Sequence, residues 1–373
     1  MKLYNQIKDL EVIIERYDLH FKEENSSGDF ARASIILDVQ DATPSPSTIA
    51  RPCTQISLTG NGSVGCGEDV TYDHIDHFAL IESPITLPIA GEYTLESFSS
   101  ALDEINLFPG RPPERKASQF YRRWAFESAA LDLALKQAEL NLATIFDRDY
   151  DPVRFVVSNR LGDPPTFDRI ATWLELNSEL EFKLDATSDW SDTLITDLAA
   201  TDAIRILDFK GQYQGTMVDQ PSDPSLYRLL FDQFPDVLIE DPVLTNETLA
   251  LFDGISHRIT WDAPITGVSS IGELPFVPEW INIKPSRFGT LQRLFETIEY
   301  CLEHDIKMYG GGQTELGVGR QHIHALASLF YPSSPNDIAP RAYNRPEPTP
   351  ALPTSPLAPP LNPVGFEWHY TKA

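Results

Sequence analysis

The apolar positions of the chain fall into two textures. Residues 9–21, 33–39 and 54–59 are runs rich in Ile, Val, Leu, Tyr and Phe, which predicts three strands, with Asp38 the one charge inside the second. From 117 to 140 the apolar residues Phe120, Trp124, Leu131, Leu135 and Ala138 recur at helical steps, predicting an amphipathic helix of about six turns. Between these elements, Gly60, Gly62, Gly65 and Gly67 crowd into eight positions, which predicts a loop. After Asp151-Pro152 the texture changes. Short apolar runs at 153–157, 181–184, 203–207, 237–239, 258–261, 280–283 and 306–309 alternate with helical stretches, the βα repeat of a parallel barrel, and 336–339 is a short eighth candidate. Residues 332–363 hold eleven prolines, which excludes helix or central strand there. Phe366 and Trp368 beyond them are costly to leave in water, so residues 332–373 are expected to fold back onto the N-terminal part. The expected division is an α+β domain over 1–140 and a barrel over 150–340, with the tail 341–373 packing on the former.

Composition narrows the partners. With 42% apolar and 23% charged residues in 373, most of the chain should fold. A balance of 29 basic against 55 acidic side chains gives −26, a field that repels nucleic acid and anionic membrane surfaces. An anionic substrate then needs a local cation. Cys53, Cys66 and Cys301 are odd in number and unrelated in spacing, which argues against a disulfide framework and for a reducing, cytoplasmic setting. No signal peptide or run of about eighteen apolar residues is visible, and nothing in the sequence excludes a homo-oligomer.

In a parallel barrel the reactive face lies at the C-terminal ends of the strands. The polar residues there are Ser158 and Asn159, Lys183 and Asp185, Asp208 and Lys210, Glu240 and Asp241, Asp262, Lys284, and Gln313 with Glu315. Asp208, Glu240 and Asp262 end three successive strands. Their carboxylates are expected to meet as three hard oxygen ligands, which no site tolerates without a cation, and Mg²⁺ suits such donors while leaving positions open. Lys183 and Lys284 would then flank the metal as acid or base groups. His74, His77, His257, His304, His322, His324 and His369 show no metal-ligand spacing and read as structural.

These residues carry a resemblance. Gly65-Cys66-Gly67-Glu68, Phe182-Lys183-Leu184-Asp185, Ile206-Leu207-Asp208, Ile239-Glu240-Asp241-Pro242, Trp261-Asp262, Ile283-Lys284-Pro285-Ser286-Arg287 and Gly311-Gly312-Gln313-Thr314-Glu315 together resemble the enolase superfamily, of the mandelate racemase and muconate lactonizing type. The spacings agree: 32, 22, 22 and 31 positions separate Asp208, Glu240, Asp262, Lys284 and Glu315. The resemblance implies an α+β capping domain over a modified TIM barrel, (β/α)₇β, with Asp208, Glu240 and Asp262 holding Mg²⁺. It implies Lys284 as the acid/base catalyst, Lys183 on the substrate carboxylate, and loops at 20–29 and 60–68 that set specificity. Ser158, Lys210, Glu315 and Asp337 are assigned to substrate binding. Two departures stand out. Asp185, counted with Lys284 and Lys183 in the catalytic set, replaces the second lysine of the family's Lys-x-Lys as a substrate-contacting group, a weak second acid/base or, the favoured reading, the partner that holds Lys183, and Lys210 replaces the common Asn two positions after the first metal ligand.

The implied chemistry is removal of the proton α to a carboxylate through a metal-stabilised enediolate. With one clear base, a lyase reaction is expected, a dehydration or an elimination like that of o-succinylbenzoate synthase. The alternatives are a cycloisomerase or racemase/epimerase of the same superfamily, an altered homologue that only binds, and an unrelated metal-dependent barrel lyase.

Overall fold

The structure is a computed structural model describing residues 2–27, 48–212, 220–345 and 348–370. The predicted strand at 33–39 lies outside the described residues. The predicted strand at 9–21 divides at Glu15, whose amide donates to the Thr59 carbonyl at 2.8 Å, because its two halves pair with different partners. β1 (Glu11–Ile14) pairs antiparallel with β5 (Gly91–Thr94). β2 (Arg16–Ser27), β3 (Thr48–Gly60) and β4 (Ser63–Asp69) form an antiparallel sheet in that order. The segment expected to form a loop at 20–29 therefore runs as β2 strand through Ser27, and 28–29 lie outside the described residues.

The glycine-rich segment is also strand, not loop. Only Asn61 (φ 47°) and Gly62 (φ 75°) turn, the two-residue connection favoured by a tight hairpin. Gly65 and Gly67 lie within β4, pressed on the long helix Lys116–Gln137: a Cβ at Gly65 would sit 2.3 Å from the Ala129 carbonyl oxygen, and one at Gly67 1.9 Å from that of Ala125. Those glycines let strand and helix touch. The helix is apolar all round from Trp124 to Leu135 apart from a few small or paired polar groups, because it lies between this sheet and the barrel. Its Arg122 is fully buried, donating to Asp69 at 2.7 Å and to the Leu107 and Asp76 carbonyls, which satisfies an otherwise costly charge.

Seven parallel strands follow in sequential order: β6 (Val157–Asn159), β7 (Phe182–Asp185), β8 (Ile204–Asp208), β9 (Leu238–Glu240), β10 (Ile259–Trp261), β11 (Trp280–Ile283) and β12 (Lys307–Gly310). The 336–339 segment stitches the open edges together. Val156 N donates to Asn336 O at 2.8 Å on one side, and Asp337 N donates to Gly310 O at 2.8 Å on the other. The fold is thus a modified TIM barrel, (β/α)₇β, with an N-terminal α+β layer. Glu68 ties the two: its carboxylate accepts from the backbone amides of Leu316, Gly317 (2.9 Å) and Gly319 (2.8 Å), capping the last barrel helix Val318–Phe330.

The proline-rich tail touches both layers. Leu357 exchanges backbone hydrogen bonds with Val153 at 2.8 and 2.9 Å and Phe155 bridges in parallel to Asn336, while the ladder to β7 begins at Val157. Phe366 stacks on His322 of the last helix (centroids 4.1 Å, planes 8° apart) and meets Trp124 of the long helix edge-on. Lys136 bridges Asp132 (2.8 Å) and the tail's Glu367 (2.6 Å). Trp368 has no exposed surface, so Trp368→Ala is expected to cost about 3–5 kcal/mol, read as a lower midpoint in chemical denaturation. The same contact predicts acid lability. Burial lowers His322 and His324 from 6.5 to about 3, so the folded state prefers them neutral while the unfolded chain takes up protons below 6.5. Their contribution is complete above pH 6.5 and is lost as pH falls towards 3; a melting temperature flat over that range contradicts this.

Candidate active site

The strand register sets the site's geometry. Asp185, Asp208 and Glu240 are successive partners across β7, β8 and β9, while Asp262 and Lys284 stand one residue beyond β10 and β11. Each follows an apolar run that fixes it to the barrel wall, so its side chain projects at the mouth. Asp208, Glu240 and Asp262 are fully buried. Lys183, also buried, donates to Glu240 and lies 3.2 Å from both Asp208 and Asp337. On the far side Lys284 donates to Asp262 at 2.8 Å. The two lysines thus flank the carboxylates.

Three groups not assigned from the sequence complete the cluster. Arg287, from the short helix Pro285–Phe288, donates to Asp262 Oδ1 at 2.7 Å. It also reaches the Gln313 amide oxygen at 2.8 Å when that amide is oriented to receive it. Tyr309 of β12 donates to Glu240 and receives Thr260 Oγ1 at 3.1 Å. Asp241 accepts the backbone amides of Asp262 and Ala263, both at 2.9 Å, and so positions the Asp262 turn. Asp241 stands among the strand-end polar residues but without a role, the signal for Arg287 is its place inside a recognised motif, and an aromatic residue within an apolar strand, as Tyr309 is, reads as core.

Asp185 does not hold Lys183. It accepts from Arg160 Nε at 2.7 Å and lies 3.3 Å from Lys210 Nζ, which also donates to Asp208. Lys183 starts two residues deeper on β7, opposite Ile206, and its ammonium is taken by Glu240, Asp208 and Asp337, whereas Asp185, level with Asp208 and Glu240, is reached by Arg160 and Lys210. Ser158 is opposite Lys183 in the β6–β7 register. Glu315 is set apart, accepting from the Gln313 amide at 2.8 Å with Arg320 at 3.8 Å.

Charge is unevenly settled. Burial alone would raise Asp208 and Asp262, but Lys210 and Lys183 on the one, and Arg287 and Lys284 on the other, hold both well below the carboxylate range. Burial would lower the Lys183 ammonium, and Glu240, Asp208 and Asp337 together keep it well above its ordinary value. Glu240 is pushed up by burial, against the pull of Lys183 and with the repulsion of Asp208 and Asp262. Asp241 is pushed up to about 7 by burial, Asp262 and Asp208. Two of the four buried carboxylates therefore remain short of positive charge despite the surrounding cations. Among the described residues, the three-ligand group with atoms within 4.8 Å of one another is Cys66, Asp132 and Glu367, and Lys136 already bridges its two carboxylates. Asp208, Glu240 and Asp262 do not close to that spacing, and Lys183, Lys210 and Lys284 stand against them. Their hard oxygens and shared burial, with Glu240 pushed up by burial and by its acidic neighbours, nevertheless fit a divalent ion.

Residues 149–345 match the family model described as domain of unknown function (DUF8230) C-terminal domain, and residues 5–145 match its N-terminal domain. The chain belongs to this family. The DUF8230 chain is also 42% identical over 59 residues to o-succinylbenzoate synthase of Bacillus subtilis strain 168, 16% of either protein. It is 28% identical over 225 residues to N-succinylamino acid racemase of Amycolatopsis, 58% of this chain and 59% of the racemase. It therefore matches less than two thirds of the length of these relatives. Among solved structures, muconate cycloisomerase from Pseudomonas fluorescens aligns with TM-score 0.60 at 18% identity over 97% of the DUF8230 chain and 95% of its own. An enolase-superfamily member from Listeria innocua gives 0.59 at 19% over 88% and 86%. The DUF8230 fold is that of the enolase superfamily, as the motif resemblance implied. Among its described residues, no helix is long and apolar enough to cross a membrane.

Proposed function

We propose that this protein is an enzyme of the enolase superfamily that removes the proton α to a substrate carboxylate, acting as a lyase. The observation that carries the reading is the placing of Lys284 and Lys183 on opposite sides of the buried carboxylates Asp208, Glu240 and Asp262 at the mouth of a parallel barrel. Those three carboxylates would hold Mg²⁺, which when bound supplies Lewis-acid stabilisation of the charge developing on the substrate carboxylate. Lys183 adds a fixed positive charge, because three carboxylates keep it protonated. Lys284 takes the α proton at Nζ, and Arg287 holds Asp262 through its own bond at 2.7 Å. In an elimination the C–H pair becomes the new C=C bond, the β hydroxyl departs, and Lys284 returns its proton to it, so that water leaves.

The departure at Asp185 favours one base over two. A racemase of this architecture needs a competent group on each face, and Asp185 is engaged by Arg160 and Lys210. The relatives named o-succinylbenzoate synthase support an aromatising elimination that yields a dicarboxylate, and the relative named as a racemase keeps N-succinylamino acids as the second substrate class to be tried. Appearance of o-succinylbenzoate absorbance with Mg²⁺, and its absence with chelator, is the expected result. Interconversion of N-succinylamino acid enantiomers at a comparable rate would replace the lyase reading with a two-base one.

A further inference from the structure

Lys210 departs from the family pattern and sits against the first of the proposed metal ligands. Its ammonium donates to Asp208 Oδ2 and lies 3.3 Å from Asp185 Oδ1, so one cation spans the carboxylate at the end of β8 and that at the end of β7. The backbone is set for this: Lys210 has φ 51°, a left-handed conformation unusual for lysine, and its own amide donates to Asp208 Oδ1 at 3.0 Å. Both Asp208 oxygens are thereby occupied from within the same loop. The other ammonium groups stand elsewhere in the site. Lys183 is held by three carboxylates in the barrel centre, with 2% of its side chain exposed, and Lys284 stands on the opposite side against Asp262. Lys210, with 17% exposed, is at the rim with a second carboxylate within reach.

Resting on the metal-dependent reading above, we propose that Lys210 is a built-in competitor for the divalent cation: its ammonium occupies Asp208 when no metal is bound and shifts to Asp185 when the metal takes that carboxylate. The two departures from the family pattern then form one device. Asp185, in place of a lysine, is the receiving carboxylate, and Lys210, in place of an asparagine, is the moving charge. Arg160, donating to Asp185 at 2.7 Å, holds that carboxylate with a charge-assisted bond. The device makes metal affinity depend on a side chain that the substrate side of the barrel can reach.

The test is Mg²⁺ titration by calorimetry of the full chain, with no substrate present. Lys210→Met removes the competitor and is expected to tighten Mg²⁺ binding by at least about tenfold, because an ammonium no longer has to leave the ligand oxygen. Lys210→Gln, which keeps a polar chain at the rim, should do the same if the methionine variant folds poorly. Asp185→Asn is expected to weaken Mg²⁺ binding in the wild-type background, where the displaced ammonium loses its acceptor, but to have little effect in the Lys210→Met background. Unchanged or weaker binding in both Lys210 variants overturns the proposal. So does an Asp185→Asn effect of equal size in both backgrounds, which would make Asp185 a distant charge and nothing more. Mg²⁺ heat in wild type with no change on Lys210 substitution sinks this inference alone, whereas no Mg²⁺ binding by any of the proteins sinks the metal-dependent function with it.

Discussion

Lys284→Ala is expected to slow α-proton exchange by at least about a thousandfold while leaving the fold intact. The activity loss follows from position. Lys284 Nζ is 2.8 Å from Asp262, opposite the fixed Lys183, and Asp185 is already committed to Arg160 and Lys210, so the first place to look for a replacement base is water. The surroundings are shaped to admit this side chain: a Cβ at Gly311 would stand 2.7 Å from Lys284 Cε. Folding should survive because Arg287 still donates to Asp262, so no buried carboxylate is left without a cation. Exchange rates measured beside thermal melts separate the two effects. A melt shifted by less than a few degrees with exchange lost supports Lys284 as the base, and exchange within tenfold of wild type removes it from that role.

Glu240→Gln is expected to weaken Mg²⁺ binding by about a hundredfold or more, since it takes away the charge of the middle ligand of three. It also disturbs the polar network of the site. Glu240 receives both Lys183 and Tyr309, and the amide can accept from only one of its two positions, so one of these buried donors loses its carboxylate oxygen. Lys183 keeps Asp208 and Asp337 at 3.2 Å, which is why the protein should still fold, with a stability loss of a few kcal/mol at most. Calorimetric titration together with denaturant unfolding gives both numbers. Unaltered Mg²⁺ affinity in a folded Glu240→Gln protein contradicts the ligand assignment.

The legible and illegible parts of the site differ in how far each residue depends on another part of the chain. Asp208, Glu240, Asp262 and Lys284 each close an apolar run, and strand periodicity alone puts them at one end of the barrel. Arg287 is three residues past Lys284, and its aim at Asp262 depends on the turn of a four-residue helix that local pattern does not resolve. Asp185's partners come from the segments after β6 and β8, so no reading of its own strand could name them. In the N-terminal layer, the loop expected at Gly65 and Gly67 is strand because glycine serves either an unusual φ or a close approach, and only the packed helix shows that here it is the second. The start of the first barrel strand is illegible for a like reason, since Val153 pairs with Leu357 and Phe155 with Asn336, both far along the chain.

The central claim is metal-assisted proton removal by a single base, and solvent deuterium exchange tests it most directly. The protein would be incubated in deuterated water with Mg²⁺ and a panel of succinylated and aromatic-precursor carboxylates, with label position and handedness read by NMR. The account predicts label at the α carbon from one face only, dependent on Mg²⁺ and abolished in Lys284→Ala. Label entering from both faces, or exchange that survives loss of Lys284 but not of Asp185, would contradict it.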